Sequence, residues 1–142
     1  MHSTKKPAKP MNETEARAKA IVLAYERKRI KATMGEEAAK EIREVGEGGG
    51  YEIVSPDGRL IEVKGTKGED ANYAFVINSE RELNHIENGG LVYRVTNVFG
   101  ASPRIYILSK EHLRILPRYR ADVRIVRGAD HEVVIHTEEA IP

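Results

Sequence analysis

Residues 50–65 read GYEIVSPDGRLIEVKG, two short β-prone runs around Pro56-Asp57-Gly58, and no other stretch so narrows what this chain can fold into. Pro presets φ for a turn and Gly tolerates the left-handed conformation, so the runs are predicted to pair as a hairpin. Side chains alternate along a strand, which puts Glu62 and Lys64 on one face and Val63 on the other. The loop length sets the register. With a three-residue loop and Gly58 at the left-handed position, Ser55 pairs with Arg59, Val54 with Leu60, and Glu52 falls opposite Glu62. A two-residue loop sets Glu52 opposite Val63 and turns it to the wrong face. Asp57, five residues before Glu62, is separated from it by roughly 16 Å at about 3.3 Å per residue, and stays outside any site built on Glu62.

Two carboxylates facing each other across a strand pair repel, and a divalent cation between them removes the objection. One or two carboxylates with retained waters is the set that Mg²⁺ prefers. Lys64, one pleat from Glu62, is placed to act as a base or to stabilise charge building on a phosphate. The same residues also read as a charged, solvent-facing sheet edge, and local pattern leaves both readings open.

Around the hairpin the pattern is mixed. Asn12 with Glu15 three residues on marks a helix start, and Ala18, Ile21, Val22 and Tyr25 recur at helical spacing, predicting a helix from about Glu13 to Met34. Gly35 interrupts it, and EEAAKEIREV restarts a shorter helix that stops at GEGGG. After the hairpin, residues 73–78, 91–98 and 104–108 read as strands, with SERELNHIEN between the first two as a helix capped by Ser79 and Glu82. Residues 110–116 read as a weak helix and ADVRIVRGADHEVVIH as a terminal hairpin. The expected fold class is mixed α/β: a helix, a three-strand meander, a helix, further strands, and a C-terminal helix and hairpin appendage. The domain plan is a disordered basic tail at 1–11, a core at 12–109 and an arginine-rich extension at 110–142.

Composition bounds the partners. With 142 residues, 40% apolar and 32% charged, one soluble domain is expected, and no apolar run approaches the length of a membrane span. A cytoplasmic location is the expectation. No cysteine is present, which excludes disulfides and thiolate chemistry. The net charge of +1 gives no global pull on nucleic acid, so such a partner needs a local patch. Arg118, Arg120 and Arg124 in KEHLRILPRYRADVRIVR supply a candidate, weighed against arginines that guard a strand edge. None of the five histidines has a partner in sequence that would make it catalytic. Alternating apolar residues from Val123 to Ile135 offer an edge for a homodimer.

The string GYEI, the string IEVKG, Tyr25-Glu26, Ser79 with Glu82, and Tyr93, in their order along the chain, resemble the NO VEIN C-terminal-like domain, a family grouped with the PD-(D/E)xK nucleases. The resemblance covers roughly residues 13–108. It implies a restriction-endonuclease-like core in which Glu26, Glu52, Glu62 and the Val63 carbonyl hold Mg²⁺, with Mn²⁺ as substitute, and Lys64 completes the catalytic set. It implies hydrolysis of phosphodiester bonds in nucleic acid, DNA before RNA, or a binding module that keeps the nuclease fold without cutting. The family usually carries Asp where this chain has Glu52. Ser79 and Glu82 read first as a capping box, with Glu82 able to reach the metal through a water.

Overall fold

In a computed structural model, residues 12–46, 49–72, 74–116, 120–123 and 132–134 are described. The basic tail, Arg118 and Arg124 lie outside them, and of Arg120 only the backbone is included. The chain begins with α1 (Glu13–Met34), whose N-cap Asn12 accepts the Glu15 N–H at 2.8 Å, as the capping pattern predicts. Ala18, Ile21, Val22 and Ile30 bury one stripe. Tyr25 is only half-buried, and Glu26 beside it is fully buried.

Helical pattern fails after Gly35. Only the single turn α2 (Glu36–Ala39) forms, and the rest of the expected second helix becomes β1 (Arg43–Glu44), paired antiparallel with β2 (Ile53–Val54). The backbone groups of Arg43 and Glu44 complete an edge there, which outweighs a weak local helical preference.

The hairpin forms in the predicted register. Val54 pairs with Leu60 and Ile53 with Ile61, joining β2 to β3 (Leu60–Gly65), while the Ser55 N–H donates to the Arg59 carbonyl and Gly58 takes φ +97°. The strand β4 (Phe75–Val76) does not continue the expected meander. After α3 (Glu80–Glu87), β5 (Leu91–Thr96) pairs parallel with β3 instead, so the third position beside β3 belongs to β5. Parallel pairing needs a crossover, and the segment from 66 to 90 supplies it. Then β6 (Arg104–Leu108) pairs antiparallel with β5.

Residues 110–116 are not an α-helix. A 3₁₀ turn (Lys110–His112) leads into β7 (Leu113–Leu116), which pairs with β8 (Arg120–Val123), and β8 pairs with β4 in a second, three-stranded sheet. Among the described residues the two halves of the expected terminal hairpin do not pair with each other: β9 (Glu132–Val134) joins the free side of β6 and completes a six-stranded sheet in the order β1-β2-β3-β5-β6-β9. The extension is therefore woven into both sheets.

Three layers result. α1 covers one face of the large sheet through Ala18, Ile21, Val22, Ile53, Ile61, Val63, Tyr93 and Val95. On the other face Val92, Tyr106 and Leu108 pack against Phe75 and Ile77 around β4, Ile86 of α3, and Leu113 and Ala121 of the small sheet. Truncating a fully buried member such as Ile61 to Ala costs about 2–5 kcal/mol. β3 is central, so its two faces look into different compartments.

Candidate active site

The alternation of β3 divides its residues. Ile61 and Val63 enter the α1 core, and Glu62 and Lys64 point to the opposite face, where Lys64 sits beside Arg94 in the parallel register. A cleft of about 1010 Å³ opens there, bounded by Glu52, Glu62, Val63 and Lys64 of the hairpin, by Phe75, by Arg94, by the first turn of α3 and by Glu15 of α1. Glu52 occupies the bend just before β2, its N–H donating to the Ile61 carbonyl at 2.8 Å. Since Ile53 and Ile61 pair and both enter the α1 core, Glu52 and Glu62 share the cleft face.

Charge in this cleft is tightly arranged. Lys64 Nζ donates to Glu82 Oε1 at 2.8 Å and lies 3.4 Å from Glu62 Oε2. Glu82 is held in turn: its N–H donates to Ser79 Oγ at 3.2 Å, and the same Oε1 accepts the Asn78 N–H at 3.1 Å. The Ser79 cap and the cleft therefore use one residue for two tasks. Burial, then the neighbouring Glu52 charge, push the Glu62 carboxyl from 4.5 up to about 8, with Lys64 opposing. Burial also raises Glu52, Lys19 and Lys64 oppose, and the charges of Glu82 and Glu15 add to the rise. The Phe75 ring meets two cations, its centroid 5.8 Å from Lys64 Nζ and 5.7 Å from the Arg94 guanidinium carbon.

Glu26 is elsewhere. It faces the other side of the sheet, accepting Arg29 at 2.6 and 2.9 Å, Ser55 Oγ at 2.5 Å and the Tyr93 hydroxyl at 2.8 Å. Four donors fill both of its oxygens. Arg29 continues to Asp57 at 2.6 Å, and Arg59 donates to the Tyr93 hydroxyl at 2.6 Å. Asp57 is thus outside the cleft, as its distance along the chain predicts, and the Arg29 hydrogen bond holds its pKa down. The sheet itself separates Glu26 from Glu62, so the expectation that they share one metal is corrected. Among the described residues, no three carboxylate or imidazole groups are grouped to hold a metal ion.

Three contributors lie beyond what the sequence signals. Glu15 is legible there only as a cap partner, and Phe75 only as a strand residue. Arg94 gives no signal, because its place beside Lys64 depends on the pairing of β3 with β5, segments far apart along the chain. His85 is buried, hydrogen-bonded through Nε2 to the Leu91 carbonyl at 2.9 Å and packed against Tyr51, and burial holds its pKa below the usual value. It closes the turn from α3 to β5. Gly50, at φ +83°, lies so close to the α3 backbone that a Cβ would collide with the Arg81 carbonyl, so glycine is required there.

Fold and cleft together define a mixed α/β protein with paired acids and a lysine projecting from neighbouring strands of a central sheet. Residues 14–108 match the family described as Protein NO VEIN, C-terminal, and the chain belongs to that family. No curated protein and no solved structure matched it. Among the described residues no helix is long and apolar enough to cross a membrane.

Proposed function

We propose that the cleft is the active centre of a Mg²⁺-dependent hydrolase of phosphodiester bonds in nucleic acid, DNA first, of the PD-(D/E)xK type. The observation that carries this reading is the convergence of Glu52, Glu62 and Lys64 on one cleft from adjoining parts of one hairpin. Adjacent buried carboxylates that resist joint ionisation are a donor set suited to a hard divalent ion that keeps several waters. The lining supports the same need: with one of Glu52 and Glu62 ionised, that carboxylate together with Glu15, Glu80 and Glu82 still outnumbers Lys64, Arg81 and Arg94, so a polyanion meets net repulsion unless a cation intervenes.

Glu52, Glu62 and the Val63 carbonyl would hold the ion, and Glu15 stands in the cleft where the resemblance assigns Glu26. When bound, Mg²⁺ or its substitute Mn²⁺ supplies Lewis-acid stabilisation of charge developing on the phosphate. Lys64, ion-paired with two carboxylates, fits stabilisation of that charge better than proton abstraction. Arg94 adds a second cation on the same wall, with a forked geometry that suits phosphate.

A second reading is favoured by one observation. Lys64 is already engaged by Glu62 and Glu82, which is what a closed structural charge network looks like in a binding module that has kept the fold. Calorimetry with Mn²⁺ and a labelled DNA substrate separate the two. Glu62→Ala is expected to lose both metal binding and cleavage, while Lys64→Ala keeps metal affinity and loses about two or more orders of magnitude in rate. Equal cleavage by the unaltered protein and both variants overturns the enzyme reading. Metal-independent DNA binding with no cleavage supports the module.

A further inference from the structure

We infer that Glu82 is a positioning residue that draws Lys64 into a shorter contact than the one it makes with Glu62 and so leaves Glu62 more open to a divalent cation; the inference rests on the reading above. The Lys64 ammonium has two carboxylates in reach on the cleft face and lies closer to Glu82, at 2.8 Å, than to Glu62, at 3.4 Å. Those two acids differ in how they are held. Glu62 comes from the same strand as Lys64, two residues away, so nothing but side-chain rotation separates a close pair from an open one. Glu82 comes from α3, and its Oε1 is fixed by the Asn78 N–H while its backbone is fixed by the Ser79 cap. A carboxylate with its own anchor defines where the ammonium rests.

Without that anchor, the nearest remaining carboxylate for Lys64 is Glu62, only 4% exposed and poorly solvated. A lysine moved closer to Glu62 would compete with a metal ion for the same carboxylate oxygens, and the cation would have to displace it. Glu82 thus acts on the cation through Lys64, and Ser79 acts through Glu82. The Ser-x-x-Glu pattern at the start of α3 gains a role beyond capping: it ties the entry of the helix to the state of the strand lysine.

The test is a double-mutant cycle on Mn²⁺ affinity, measured by calorimetry on the full chain. Glu82→Gln keeps an oxygen for the Asn78 N–H and removes the charge that holds Lys64, so the fold is preserved; thermal unfolding of each variant checks this. Lys64→Met removes the competing ammonium. Expected is a loss of about tenfold in Mn²⁺ affinity for Glu82→Gln in the natural background and a much smaller loss in the Lys64→Met background, the non-additivity that marks coupled residues. Equal losses in both backgrounds mean that Glu82 acts only through its field, and this overturns the inference while leaving the metal site standing. Absence of Mn²⁺ binding by the unaltered protein overturns both. Rescue of Glu82→Gln by Lys64→Met to the affinity of Lys64→Met alone is the outcome that a merely structural Glu82 would not produce.

Discussion

Glu62 shows what a single residue contributes to a site and takes from the fold. It is a carboxylate kept in a dry place beside another acid, with its pKa raised from 4.5 to about 8. Between those values the folded protein holds a proton that the unfolded chain has released. The stability linked to this group is therefore fully present below about pH 4.5 and is lost as the pH rises through 8. Glu62→Gln, which cannot ionise, is expected to raise the melting temperature in metal-free buffer, by an amount that grows as the pH climbs across that window. A melting-temperature difference that is constant with pH would show that Glu62 is ionised throughout. The same proton competes with a cation, so metal affinity should rise over the same window.

At the scale of elements, the principal device is the clasp between α1 and the hairpin. Glu26 and Arg29 of the helix, Asp57 of the turn, and Ser55, Arg59 and Tyr93 of the strands and their ends form one connected hydrogen-bonded network. A helix lying on a sheet by apolar packing alone can slide, and directional bonds to a buried charge fix its position. The clasp thereby ties the hairpin turn to α1 on the face away from Glu52 and Glu62. Glu26→Ala removes the shared acceptor of Arg29, Ser55 and Tyr93 while Arg29 keeps Asp57, and a loss of about 1–3 kcal/mol in urea unfolding is expected from buried donors left unsatisfied. Mn²⁺ affinity of the folded variant should be unchanged. A drop in affinity comparable to that of a Glu62 variant, without loss of stability, would instead return Glu26 to the metal set.

For the molecule as a whole, the distribution of charge matters more than its sum. The net charge is only +1, and the cleft itself is acidic, so attraction to a polyanion must come from outside the cleft. Arg118, Arg120 and Arg124 are the proposed source: Arg120 begins β8, which pairs with the β4 strand of the cleft wall, and the other two flank β8 in sequence. Replacing all three with glutamine is expected to weaken DNA binding and to flatten the plot of log affinity against log salt by about 0.9 for each phosphate no longer neutralised. An unchanged slope would leave these arginines as guardians of a strand edge. Hydrolysis of both strands of a duplex would call for two copies of the chain, and sedimentation at micromolar concentration that finds only monomer would confine the activity to single strands or nicks.

What the sequence determined by itself is local. The turn at Pro56-Asp57-Gly58 offers two loop lengths in sequence, and the three-residue loop with its left-handed glycine is the one that forms, so the shared face of Glu52, Glu62 and Lys64 follows from chemistry within sixteen residues once that loop is taken. The caps at Asn12 and Ser79 work the same way, because a side chain three residues from its target needs no distant partner. Tertiary structure decided what depends on chain segments meeting. Arg94 reaches the cleft because β5 pairs in parallel with β3, and Glu26 leaves it because its turn of α1, unlike the first turn that carries Glu15, packs on the opposite face. Residues 43–44 and 113–116 became strands because open sheet edges were there to accept their backbone groups, a choice worth more than weak helical propensity. Propensity is a property of a few neighbouring residues, whereas the pairing that overrules it belongs to the assembled sheet.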